Sequence, residues 1–178
     1  MNKYYLDGVL VVEGKSDVSY LSSFIKTLYF TTNGYDISEE KLDFLARVSK
    51  TKKIIVLTDN DQAGIEIENR IKTKINNVFA IKTPKIARKS SKKLGVAETD
   101  RDVVVESLKA HLKVYTNQFD IKPDYSLSRI ISLGNNPQDI KKQIIKDYRL
   151  MEGNIKFLEN QLQMLGISPE EIKQKYGN

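Results

Sequence analysis

Three short apolar runs punctuate the first half of the chain: Val9–Val12, Ile54–Leu57 and Val78–Ile81. Runs of four aliphatic or β-branched residues between polar flanks read as buried parallel strands. Between them the apolar positions spread to helical spacing. Tyr20, Leu21, Phe24 and Leu28 predict an amphipathic helix after the first strand. Leu42, Leu45 and Val48 predict a second, opened by Ser38 as N-cap with Glu39 and Glu40 in its first turn. Ile65–Ile71 predicts a third, and residues 103–115 a fourth, entered through Thr99-Asp100-Arg101-Asp102. Strands alternating with helices in this way imply βαβ units and a mainly parallel sheet flanked by helices, an α/β fold.

The pattern breaks at 116–125, where Thr116-Asn117-Gln118 and Lys122-Pro123-Asp124 read as a connector. Residues 1–115 therefore form one expected domain. Residues 126–178 form a second, small and all-helical. There Ser126–Leu133 stops at Gly134, Asn136-Pro137 opens the next helix, and Ser168-Pro169-Glu170-Glu171 opens the last with a capping box. Ile144, Ile145, Tyr148, Ile155, Phe157, Leu158, Leu162 and Leu165 are the expected core positions.

Composition narrows the chemistry. The chain has 178 residues and no cysteine, which excludes a disulfide framework, a thiolate zinc site and a cysteine nucleophile. No apolar run reaches 18 residues and Met1–Asp7 is polar, so the expectation is a soluble cytoplasmic protein with no membrane partner. The net charge is +6, and residues 82–93 alone hold six basic residues and no acid: Lys82, Lys85, Arg88, Lys89, Lys92 and Lys93. That segment is the expected polyanion contact. Lys141, Lys142, Lys146 and Arg149 form a second basic group, in which Lys142, Lys146 and Arg149 are helically spaced. His111, the single histidine, reads as structural or surface.

The chemistry-bearing stretch is Thr58-Asp59-Asn60-Asp61-Gln62-Ala63-Gly64, at the end of the second strand. Ligands in open α/β sheets bind outside the carboxyl ends of the strands. Two acids one residue apart at that edge offer hard oxygen ligands to a divalent cation such as Mg²⁺, and Gly64 permits close backbone approach. Asp in this position also caps the following helix. Glu13 stands at the end of the first strand, followed by Gly14-Lys15-Ser16-Asp17. If the two strands are neighbours, Glu13, Asp59 and Asp61 share one edge, and a glutamate beside a metal-holding pair suits phosphodiester chemistry.

Val-Val-Glu13-Gly-Lys-Ser-Asp, with Leu-Thr-Asp59-Asn-Asp61-Gln-Ala-Gly64 about 45 residues on, resembles the Toprim domain of topoisomerases, bacterial primases and small nucleases. Further matches are similar to the ribonuclease M5 family of 5S ribosomal RNA maturation endoribonucleases. They are Thr32-Asn33-Gly34, the basic segment leading to Gly95-Val96, and a tail with Asn154-Ile155-Lys156-Phe157-Leu158 and Met164-Leu165-Gly166-Ile167-Ser168. The resemblance implies a Toprim-type core that cuts the double-stranded stem of precursor 5S ribosomal RNA with Mg²⁺ or another divalent ion such as Mn²⁺. It implies Glu13, Asp59 and Asp61 as catalytic residues that together make the metal site, with Glu13 the general acid/base and Asp59 and Asp61 the principal metal ligands. Lys15 and Asp17 have supporting places near phosphate and metal, and Gly14 and Gly64 belong to the same motifs. The C-terminal helices would contact the RNA or a 5S-binding ribosomal protein. The family often has an acid directly after Gly-Val, where this chain has Ala97, with Glu98 one position later. Two other readings stand beside it: a Toprim primase-like or DNA-nicking enzyme, and a Toprim RNA-binding protein without cleavage.

Overall fold

Continuous apolar runs survive as strands only where both faces are covered, and the two central strands of the computed structural model are of that kind. The structure describes residues 4–34, 36–84, 95–115, 123–133 and 136–177. Strand β1 (Tyr4–Val12) and strand β3 (Ile54–Thr58) pair in parallel, Val9 opposite Ile54 and Val11 opposite Val56. Val9–Val12 and Ile54–Thr58 are buried throughout. Strand β2 (Ile25–Thr31) flanks β1 and strand β4 (Val78–Lys82) flanks β3, giving the parallel order β2-β1-β3-β4. A short strand β5 (Leu112–Val114) runs antiparallel to the start of β1.

The helices are α1 (Lys15–Leu21), α2 (Glu39–Val48), α3 (Gln62–Lys74) and α4 (Arg101–Leu108), with a 3₁₀ turn at Val96–Glu98. Leu21, Val96, Val104 and Leu108 join Leu10, Val12, Ile55 and Leu57 in one core cluster. Gly8 sits where the β1–β2 register slips, at φ 157°, and a Cβ there would lie 2.8 Å from the Lys53 carbonyl oxygen. A glycine meets both demands.

Two predicted helices are shorter than the periodicity implied. The first ends at Leu21, and Leu28 belongs to β2 instead. Ile25-Lys-Thr-Leu-Tyr-Phe-Thr is rich in β-branched and aromatic residues, and pairing with β1 overrides the helical spacing. The helix expected over 103–115 ends at Leu108. His111 then lies in a turn against the Phe79 ring (centroids 4.8 Å apart), and the following residues form β5.

Contacts divide the chain into two compact units, Met1–Phe119 and Asp120–Asn178. The second is helical throughout its described residues: α5 (Leu127–Leu133), α6 (Pro137–Tyr148), α7 (Ile155–Leu165) and α8 (Pro169–Tyr176). Leu127, Ile130, Ile144, Leu158, Leu162 and Ile172 are buried there. Phe157, an expected core residue, is 37% exposed. Its ring lies over Gly153, whose missing Cβ leaves the room. Among the described residues no helix is long and apolar enough to cross a membrane.

Candidate active site

Because β1 and β3 are parallel neighbours, their carboxyl ends bring Glu13 and Asp59 to the same sheet edge. The loop bearing Glu13 is held from the next strand. Asn33 N–H donates to the Glu13 carbonyl at 2.9 Å, and Thr32 N–H to that of Val12 at 3.0 Å. Asn33 takes φ 59° and Gly34 φ 109°, left-handed conformations that suit Asn and Gly. The Thr32-Asn33-Gly34 motif thus turns the chain off β2 while fastening the Glu13 backbone.

Asp61 is the N-cap of α3: its Oδ1 accepts from Gly64 N–H at 2.8 Å. The capping role is therefore real for Asp61. Gly64 packs so tightly on the strand end that a Cβ would overlap the Asp59 carbonyl and lie 2.9 Å from Thr58 Oγ1. Asp59 is held differently. Its Oδ1 accepts from Val96 N–H at 2.6 Å, across 37 residues of chain. No side-chain motif announces a backbone amide, so this contact has no signature in the sequence; the adjacent Gly95 is its one trace. A Cβ on Gly95 would come 3.2 Å from Asp59 Oδ2 and overlap the Glu98 carboxylate.

The acids feel one another. Burial raises Asp59 to about 6, with Asp17, Asp61 and Glu13 adding to the rise and the Val96 N–H opposing it. Glu13 is raised by burial, then by Asp61 and Asp17. Asp17 is raised by burial and by Glu98, against the hydrogen bond it accepts from Gly14 N–H at 2.9 Å and the pull of the Ala97 N–H. Five of the predicted site acids, Glu13, Asp17, Asp59, Asp61 and Glu98, therefore form one electrostatic group. Gly14 is the N-cap of α1, and Lys15 is exposed on that helix's first turn.

Such a group of hard oxygen donors suits a divalent cation. Asp59 and Asp61 each spend one carboxylate oxygen on an amide and retain the other. Among the described residues no three or more acidic, histidine or cysteine side chains are gathered tightly enough to make a metal cage alone. Mg²⁺ is ordinarily held through one or two carboxylates, with waters and phosphate oxygens completing the octahedron, so the donors present fit it.

The predicted cationic residues distribute unevenly. Lys82 ends β4 and pairs with Glu68 at 3.5 Å, so part of its charge is answered within the protein. Lys85, Arg88, Lys89, Lys92 and Lys93 lie outside the described residues. Lys142 and Lys146 are exposed on α6, and Arg149 caps that helix.

Comparison with known proteins bears on the family and the fold. Residues 10–94 fit the family described as Toprim-like. A ribonuclease M5 of Mycoplasma mycoides subsp. mycoides is 31% identical over 99% of this chain and 99% of its own. The chain belongs to the ribonuclease M5 family. Among its other relatives, the ribonuclease M5 1 of Ligilactobacillus salivarius (strain UCC118) is 32% identical over 93% of this chain and 91% of its own. The ribonuclease M5 of Mycoplasma genitalium is 25% identical over 94% and 93%. A small TOPRIM domain protein from Bacillus stearothermophilus superposes with a TM-score of 0.52 at 21% identity, covering 62% of this chain and 90% of its own. That likeness concerns the fold, an α/β Toprim-like core to which this ribonuclease M5 family member adds C-terminal helices.

Proposed function

We propose that this protein is a divalent-metal-dependent endoribonuclease that cuts the double-stranded stem of precursor 5S ribosomal RNA during its maturation. The observation carrying the reading is that a chain related over its full length to ribonuclease M5 sets Glu13, Asp59 and Asp61 in one electrostatic group at the sheet's carboxyl edge.

In this reading Asp59 and Asp61 would hold Mg²⁺ or Mn²⁺, each having one carboxylate oxygen that the Val96 or Gly64 amide does not engage. The bound cation supplies neutralisation of phosphate charge and a more acidic water. Glu13 moves the proton: burial, then Asp61 and Asp17, raise its pKa above the ordinary carboxylate value, the direction that helps a carboxylate take up a proton. Lys15, exposed on the first turn of α1 just after Glu13-Gly14, is assigned to a phosphate oxygen in this reading, which its charge and its exposure support. Glu98 lies against Gly95 and within the field of Asp17, which supports it as the substitute for the acid the family often carries at the position of Ala97.

An A-form duplex offers phosphates and 2′-hydroxyls in preference to base edges, so lysine and arginine are the suitable readers. Lys82, Lys85, Arg88, Lys89, Lys92 and Lys93 contact the stem, and Lys142, Lys146 and Arg149 on the helical unit contact the RNA beside a 5S-binding ribosomal protein.

Incubation of the protein and Mg²⁺ with a 5S precursor, with and without that ribosomal protein, is expected to give a site-specific cut that EDTA abolishes. Absence of a cut under both conditions overturns the proposal. Binding without cutting, with cleavage gained by Ala97→Glu, would instead mark an RNA-binding Toprim protein.

A further inference from the structure

Helix α2 opens with Glu39 and Glu40, the charges that its N-terminal dipole favours, and then breaks that rule with Lys41 at the third helical position. Lys72, Lys74 and Lys109 meet carboxylates. The partly buried Lys41 instead donates from Nζ to the main-chain carbonyl of Thr32 at 2.6 Å, nine residues back. A charged donor makes such a bond about twice as strong as a neutral one, which offsets the unfavourable place in the helix.

The carbonyl that Lys41 grips belongs to the same peptide group as the Asn33 N–H, and that N–H donates to the Glu13 carbonyl at 2.9 Å. A peptide group is planar, so one held at its oxygen and at its N–H has both ends fixed. Each bond also polarises the group in the sense that strengthens the other. The Thr32 hydroxyl is a longer second donor to the Glu13 carbonyl, at 3.5 Å. The frame from which Lys41 reaches is itself anchored. Phe44, three residues on and so on the same helix face, stacks on Phe30 of β2 with ring centroids 6.0 Å apart and planes 12° apart, and both rings are buried. Ile37, just before the helix, is wholly buried.

We infer that Lys41 is a positioning residue for Glu13: from α2 its ammonium holds the Thr32 carbonyl, and through that one peptide group it steadies the Asn33 N–H that fastens the Glu13 backbone. The inference rests on reading Glu13 as the group that moves the proton, but the link itself can be tested without cleavage. A lysine that serves only as a phosphate contact would leave amide exchange in the RNA-free protein unchanged when its charge is removed. One that merely adds to overall stability would leave local opening of the turn unchanged.

The experiment is native-state hydrogen exchange of the full chain in EDTA, comparing wild type with Lys41→Met, which keeps the apolar stem and removes the donor, and with Lys41→Arg, which restores a donor. Exchange at Asn33 is expected to accelerate about tenfold in Lys41→Met, the equilibrium weight of one hydrogen bond, and to slow again in Lys41→Arg. An unchanged Asn33 in Lys41→Met overturns the inference, whether or not Val56, buried in β3, accelerates. An Asn33 that stays equally fast in Lys41→Arg overturns it too. On 5S precursor, Lys41→Met should lower kcat by roughly tenfold or more with KM unchanged, the mark of a misplaced catalytic group. A loss carried by KM with kcat kept is what a phosphate contact gives, and it overturns the inference. Should Lys41→Met not fold, competitive acetylation of the wild-type protein reads the same bond: Lys41 should label more slowly than the exposed Lys50, and equal labelling overturns the inference. With the exchange result intact, failure of the wild type to cut 5S precursor would count against the proposed reaction alone.

Discussion

Asp59 carries an unusual cost for a surface-edge aspartate. An unfolded aspartate ionises near 4, whereas burial and three neighbouring acids raise this one to about 6. Between those values the folded chain holds a proton that the unfolded chain has released. Metal-free stability therefore falls as pH rises through that window and stays lower above it. Asparagine at this position keeps an oxygen for the Val96 N–H and cannot ionise. Asp59→Asn is expected to unfold at higher urea than wild type at pH 8 in EDTA, and at similar urea at pH 4, while reducing cleavage by on the order of 10²–10³. Mg²⁺ should raise the wild-type midpoint more at pH 8 than at pH 5, and leave Asp59→Asn nearly unmoved. Urea titrations at these pH values check both statements.

At the scale of elements, strands and site edges were legible where one signal dominated. Val9–Val12 and Ile54–Leu57 are apolar without interruption, which only a doubly covered strand tolerates, and the acids behind them followed from the carboxyl-edge rule. Strand β2 was not legible because Leu21, Phe24 and Leu28 also satisfy helical spacing, and its β1 pairing is a long-range fact. The Val96 amide that holds Asp59 was invisible for a similar reason: a backbone group carries no residue signature. Gln161 is another such case, polar in a helix yet 1% exposed. It receives Met151 N–H at 2.8 Å and donates to the Met151 carbonyl at 2.9 Å, pinning the α6–α7 connection. Gln161→Leu leaves both backbone groups buried and unpaired and should cost about 2–4 kcal/mol, read by chemical denaturation. Arg149 offers the opposite outcome. It takes φ 47° at the C-cap of α6, where glycine is the usual occupant. Arg149→Gly is expected to stabilise the protein by about 1 kcal/mol in the same assay, and to weaken RNA binding if the α6 strip serves as proposed.

Across the whole molecule the charge is lopsided in a way that ranks the two cationic groups. Residues 1–119 carry 20 basic and 15 acidic residues, and residues 120–178 carry nine and eight. Without the six basic residues of 82–93, the first unit would be net acidic at −1, with Glu13, Asp17, Asp59, Asp61 and Glu98 concentrated in the candidate site. In the proposed reading a polyanion approaching those acids draws its attraction from the 82–93 segment. In the second unit Lys175 pairs with Asp147 at 2.7 Å, which makes it a weaker partner for phosphate than Lys142 and Lys146, exposed on α6. Removing one phosphate contact should flatten the dependence of log affinity on log salt by roughly 0.9. Neutralising Lys85, Arg88, Lys89, Lys92 and Lys93 to glutamine should therefore reduce the slope by about four to five, and neutralising the three α6 residues by at most about three. Filter binding of a 5S precursor at about 50–300 mM salt in EDTA, a range over which counterion release is readily resolved, measures both without cleavage. If the α6 variant shows the larger reduction in slope, the helical unit is the principal RNA anchor, and the 82–93 segment serves only to bring a stem that is already bound to the acids.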